Sequence, residues 1–298
     1  LVEEAQSTLK AALQTDPAFE PAVISLVRVL LSSDAQDAVT AALSLLNQHQ
    51  TSHHPEIIAL RALVLQFQGE SGQALQVLET ALDQQPRQVR LHRARGELYR
   101  LRGDYIQAER MLKQSLAQWP AEESLYQDLL ELYTSFRVPN AAASRRELLQ
   151  LLAQQVPHSR LLKMEQALDA LRLNDWPTAE RLLRQLLTDN PQDRSALELL
   201  LVVLHRDLRD VQAQKLIEDY LADTHLSIPV LQAILTYYNQ INHRQQYGIL
   251  ERLMLIHPDP LWRNTQLARV YLGTRRPAQA LKLVNQVLAQ PDLPSDEI

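Results

Sequence analysis

Four charged side chains, Arg90, Arg93, Glu97 and Arg100, follow one another at i, i+3, i+7 and i+10. On an α-helix that spacing puts all four on one face. Three guanidinium groups on one face could take a carboxylate or an acidic peptide, because the planar fork donates two parallel hydrogen bonds to such a group. Arginines at 87, 95 and 102 add to the local positive charge. The alternative is a solvated face on which Arg93 pairs with Glu97, worth roughly 0.3–0.5 kcal/mol.

Other chemistry is thin. His49 and His53 stand at i, i+4, with His54 beside them, a spacing that could present two imidazoles to a metal. The segment from Gln48 to Pro55 reads as a helix end and loop with no acidic residue, so solvated loop histidines are the expectation. The carboxylate pairs Glu3/Glu4 and Glu122/Glu123 fall at the start of the chain and in a first helical turn, where acidic groups favour the macrodipole. There is no GxSxG, no glycine-rich phosphate loop and no HExxH. These absences point to a non-catalytic chain without metal or cofactor. With no cysteine, disulfides, thiolate catalysis and cysteine-ligated metals are excluded.

The elements that must position these residues are legible from composition and period. The 298 residues are 46% hydrophobic, with six glycines, and Leu, Ala, Gln, Glu and Arg dominate, which is the composition of helices. The net charge of −5 argues against a general nucleic-acid partner, which needs a basic surface to displace counterions. The longest apolar run, Leu199–Leu204, is too short to cross a bilayer, so no membrane insertion is expected. The chain begins with Leu and matches only the second half of a repeat at its start, which reads as a truncated N-terminus. Either cytoplasm or periplasm fits.

A 34-residue interval separates Ala74, Ala108 and Ala142, and again Pro86 from Pro120 and Pro157 from Pro191. Recurrence at that interval marks stacked units, none of which buries its apolar face alone. The clearest unit predicts a helix over Val89–Leu101, a turn at Arg102-Gly103-Asp104 and a helix over Ile106–Gln118. Gly103 supplies the left-handed residue that ends the first helix, and Asp104 can accept from the free N–H groups of the next. Pro120 to Pro157 is three residues longer than the period, so an insertion falls near Phe136–Ser144 or in a lengthened second helix. The 227–257 unit departs furthest, with Tyr247 where a small alanine is expected.

Gly96, Tyr99, Ala108, Leu112, Ser115 and Pro120 fall at the offsets of the tetratricopeptide repeat, and the chain resembles that family along essentially its whole length. The resemblance implies an all-α fold, a right-handed superhelical α-solenoid of antiparallel helix pairs with about 8.5 repeats. A half repeat over 1–16 precedes pairs near 19–50, 54–85, 88–119, 122–156, 158–190, 193–224, 227–257 and 261–290, with a tail at 291–298. It also implies that each first helix lines a concave groove. Carried over unit by unit, the groove positions include Glu56, Ala59, Leu63 and Gln66, then Arg90, Arg93, Glu97 and Arg100, then Gln127 and Glu131. Leu161, Met164, Leu168 and Leu171 follow and read more readily as core. Trp119, Trp176 and Trp262 read as packing at unit junctions.

The expected function is a non-catalytic scaffold or adaptor that holds a peptide or partner protein in the groove. The candidate contacts are Arg90, Arg93, Glu97, Arg100, Gln127 and Glu131. The repeat style resembles bacterial proteins of envelope, pilus or exopolysaccharide assembly. The lysine–asparagine clamp of chaperone-tail receptors is not present. Two other readings stand beside this one: the recruiting arm of an enzyme whose catalytic domain lies elsewhere, and a homo-oligomer assembled through exposed terminal repeats.

Overall fold

The structure, a computed structural model, describes residues 2–32, 36–135, 138–222, 227–241, 246–255, 260–273 and 276–288. Among the described residues there are seventeen α-helices and no strand. After α1 (Val2–Thr15) they run in pairs: α2 (Glu20–Leu31) with α3 (Gln36–Gln48), α4 (Pro55–Phe67) with α5 (Ser71–Gln84), α6 (Val89–Leu101) with α7 (Tyr105–Gln118), and α8 (Glu123–Ser135) with α9 (Ala141–Gln155). Then come α10 (Arg160–Arg172) with α11 (Trp176–Asp189), α12 (Arg194–Arg206) with α13 (Asp210–Ala222), α14 (Ile228–Gln240) with α15 (Gln246–Leu255), and α16 (Pro260–Gly273) with α17 (Pro277–Leu288). Two compact units divide the chain, Leu1–Ser159 and Arg160–Ile298. The fold is an all-α solenoid of repeats.

One turn chemistry ends four of the first helices. Gly69 and Gly103 have φ of 85° and 81°, and Asn174 and Leu208 have φ of 58° at the equivalent places. At each, the next residue's N–H reaches back toward the helix: Glu70 to Leu65, Asp104 to Tyr99, Asp175 to Ala170 and Arg209 to Leu204, at 2.8–2.9 Å. The left-handed residue itself donates to the carbonyl three before it, completing a Schellman motif that satisfies the last carbonyls of the helix. Asp104 follows Gly103 as the N-cap of α7, but its carboxylate makes no capping bond. It lies instead 3.7 Å from Arg102 Nε, which competes for the same oxygen.

Small residues set the approach of paired helices. Ala62, Ala74, Ala108, Ala179 and Ala213 are all wholly buried. Gly96 is buried too, and a Cβ placed on it would lie 2.8 Å from the Leu112 side chain, so the bare backbone of α6 there makes room for Leu112 of α7. First helices are buried on two sides. In α4, Ile57, Leu60 and Val64 pack with α2 and α3, while Ile58, Ala59 and Ala62 pack with α5 and α6. In the second unit a single cluster runs from Met164 on α10 to Ile249 on α15.

Ala142 breaks the pattern. It is exposed on α9, whose only buried residues are Leu148 and Leu152. Upstream of it the connection is longer, with five residues between α8 and α9 against three between α6 and α7; α9 itself then has 15 residues against 14. The shift carries Ala142 off the packing face that Ala108 occupies. Of the segment Phe136–Ser144, residues 136 and 137 lie outside the described residues, as do the 291–298 tail and the side chain of Trp262. Tyr247 does not fill the alanine position either: it is 41% exposed, and among the described side chains of α15 the buried one is Ile249.

Candidate partner-binding site

Arg90, Arg93, Glu97 and Arg100 share one face of α6 and line a cavity of about 470 Å³ in the first unit. Arg28 of α2, Glu56 and Leu63 of α4, and Asp128, Glu131 and Leu132 of α8 complete the charged walls and part of the floor. Gly96, Ala108 and Leu112 form the rest of the floor, so the close contact of α6 and α7 also shapes the site. Gln127 lies exposed on α8, outside the cavity wall.

Each of the three arginines on α6 is already engaged by a carboxylate. Arg90 donates through Nε and Nη2 to Glu56, the second bond at 3.2 Å. Arg93 grips Asp128 through two bonds of 2.6 and 2.8 Å. Arg100 donates Nε to Glu97 at 2.7 Å, one helical turn away. Glu97 therefore pairs with Arg100, and the Arg93–Glu97 pair allowed by the spacing does not form: each of the two is already engaged by two parallel bonds, Arg93 with Asp128 and Glu97 with Arg100. Arg28 adds a further bond to Glu56 at 2.8 Å, so this carboxylate links α2, α4 and α6.

The electrostatics follow the pairs. Burial works to raise the Glu56 pKa, but hydrogen bonds and charge from Arg90 and Arg28 outweigh it and hold the carboxyl below its ordinary value. Arg93 is raised above the usual arginine range by its bond to Asp128, against the pull of burial, with help from the charges of Asp128, Glu122 and Glu56. Arg100 is raised by its bond to Glu97, and the charges of Glu131 and Asp128 also act on it. The site holds as many carboxylates as arginines.

Besides Arg28, Asp128 is a charged wall residue that sequence reasoning missed. It stands one place beyond Gln127, which the groove register selected, and 35 residues after Arg93. An opposite charge one repeat further on was the available signal. The same signal marks Arg160 and Asp193 in the second unit, joined by bonds of 2.6 and 2.8 Å.

The other candidates have local explanations. His54 caps α4, its Nδ1 accepting from the Glu56 N–H at 3.2 Å. The His49 carbonyl, with those of Leu46 and Gln50, receives the Arg61 guanidinium at the C-terminal end of α3. Among the described residues no cluster of three or more metal-binding side chains occurs, and no helix is long and apolar enough to cross a membrane. Met164 is buried in the core of the second unit, and Leu168 and Leu171 pack against it. Trp119 lies 5.0 Å from the His92 ring, and Trp176 packs on the second-unit core.

A sequence profile of the family "Tetratricopeptide repeat" matches residues 60–123 and 164–222, one stretch in each unit. No curated protein matches the sequence. Among solved structures, a human IFIT1 dimer with m7Gppp-AAAA is 16% identical, with 96% of this chain and 67% of that chain covered at a TM-score of 0.37. A tetratricopeptide repeat protein from Parabacteroides merdae is 12% identical, with 90% of this chain and 99% of that chain covered at a TM-score of 0.47. With the profile matched once in each unit, and with paired helices meeting at buried alanines in both, residues 60–123 and 164–222 are tetratricopeptide repeats.

Proposed function

We propose that this chain is a non-catalytic interaction scaffold that holds a segment of a partner protein in the charged cavity lined by α4, α6 and α8. The carrying observation is the cavity itself. First helices from four successive pairs place four arginines and four carboxylates around an apolar floor of Leu63, Leu112 and Leu132. Such a surface orients a partner through its charges and gains affinity from apolar contact, the usual division of labour in recognition. A setting in bacterial envelope, pilus or exopolysaccharide assembly belongs to this proposal, supported by repeats that merge into Gln- and Leu-rich helices.

A photo-crosslinking residue in place of exposed Glu131 would test it, with a second in place of exposed Arg110 on α7 as the control. Crosslinking in native lysate should enrich a partner from position 131 and not from 110. Equal yields at both positions would remove the cavity from the reading. Adducts of the chain with itself would instead favour a homo-oligomer.

A further inference from the structure

The cavity is neutral in sum but not along its length. Toward the N-terminal end of α6, three arginines (Arg28, Arg90 and Arg93) face two carboxylates (Glu56 and Asp128). Toward the C-terminal end the balance reverses, with Arg100 set against Glu97 and Glu131. Two groups keep spare capacity. The Arg28 side chain is 62% exposed and gives one hydrogen bond to Glu56. Glu131 is exposed and, among the described residues, its carboxylate meets no hydrogen-bonding partner, although its charge acts on Arg100. Between the two ends lie Leu63, Gly96, Leu112 and Leu132.

Resting on the scaffold reading, we infer that the site selects an extended partner segment of mixed charge: an acidic residue, a short apolar stretch, then a basic residue. The acidic side chain meets Arg28 and the N-terminal end of α6, and the basic one meets Glu97 and Glu131. A purely acidic segment is disfavoured. Arg90 and Arg93 are each held by a carboxylate, and an incoming anion near Arg100 would face Glu97 and Glu131. From the midpoint of Arg90 and Arg93 to that of Glu97 and Arg100 is about seven residues of helix, or roughly 10 Å. An extended strand covers that in about three residues. Aliphatic residues between the charges would rest on the leucine floor.

The test uses the whole chain and four capped synthetic peptides of equal length. One carries glutamate and lysine separated by two leucines; the others carry two glutamates, two lysines or two glutamines at those places. Fluorescence anisotropy at low salt should show the mixed peptide binding at least about tenfold tighter than the rest, with affinity falling as salt rises. Arg28→Glu and Glu131→Lys should each weaken the mixed peptide, and Glu131→Lys should strengthen the two-glutamate peptide. Both positions are exposed, and matching melting curves would establish that the variants fold. A two-glutamate peptide that binds the unaltered chain as tightly as the mixed one overturns the inference and leaves the scaffold reading in place. If no peptide binds and the crosslinker at 131 captures nothing, both fall.

Discussion

Arg93 of α6 holds Asp128 of α8 by two parallel hydrogen bonds, 35 residues apart in the chain. Arg160 of α10 holds Asp193 in the same way, 33 residues apart. These forks join consecutive repeats within each unit, so they act where a repeat stack must be stiff: at the interface between neighbours. A double-mutant cycle of Arg93→Ala and Asp128→Ala, read by urea unfolding, should give a coupling of about 1 kcal/mol. Both side chains keep some exposure, which holds the figure below that of a fully buried pair. Arg93→Lys should lose most of that coupling, since a single ammonium cannot satisfy both carboxylate oxygens in parallel.

Asp193 carries a second duty. Its side chain is 3% exposed, and Oδ1 also accepts from the Ala196 N–H at 3.2 Å, capping α12. The bond from Arg160 leads in holding its pKa below the ordinary aspartate value, burial opposes, and the Ala196 N–H adds to the lowering. A depressed folded pKa stabilises the fold above the unfolded value of about 3.9, and that stability is lost as pH falls through the folded value. Asp193→Asn keeps a capping oxygen but loses the charge. The melting temperature of Asp193→Asn should lie below that of the unaltered chain at pH 7, and the gap should shrink below about pH 4. A gap that stayed constant down to about pH 2.5 would mean the charge is not what Asp193 contributes.

How much of this is legible in the sequence depends on the length of chain each feature spans. The all-α repeat fold follows from Ala74, Ala108 and Gly103, whose roles are set inside one helix pair. Ala142 escapes the same reasoning because a count of 34 carried through an insertion no longer tracks the packing face. Within the site, the face formed by Arg90, Arg93, Glu97 and Arg100 needs only helical periodicity. Which acids Arg90 and Arg93 take depends on the stagger of α4, α6 and α8, and a spacing rule on one helix cannot supply that. Tyr133 makes the same point. Its hydroxyl donates to Glu109 on the preceding second helix at 2.8 Å, and burial, then that bond, push its pKa to about 12. Tyr238 to Gln214 and Tyr271 to Glu251 repeat this stitch, which no motif in the sequence announces.

Gly96 and Gly72 should respond to alanine with opposite signs. A Cβ at Gly96 would meet Leu112 Cγ and Cδ2 at 2.8 Å, and Leu112 is itself 4% exposed, so the clash is not relieved by a simple rotation into solvent. Overpacking should outweigh the gain in helix propensity and lower stability by about 1–2 kcal/mol. Gly72 lies in α5 with nothing within 4 Å of where a Cβ would stand, so Gly72→Ala should raise stability by about 0.5 kcal/mol. Urea midpoints with unchanged slopes would establish both. Because Leu112 also floors the cavity, Gly96→Ala should weaken partner binding as well, whereas Gly72→Ala should not.

Leu208 sits at φ 58° where Gly69 and Gly103 occupy the matching turn in the first unit, and it is 88% exposed. A β-carbon in the left-handed region costs roughly 1–2 kcal/mol, and a side chain in solvent recovers little of it. Glycine removes that cost but adds about 0.5–1 kcal/mol of unfolded-state entropy. Leu208→Gly should therefore stabilise the second unit by about 0.5–1 kcal/mol net. Leu208→Asn, which copies Asn174 in the preceding pair, should gain a smaller amount in the same direction. Urea unfolding of both variants, monitored by circular dichroism, decides the matter. Destabilisation by glycine would show that the leucine side chain contributes to the fold from its exposed position, since the Schellman bonds around it are available to either residue.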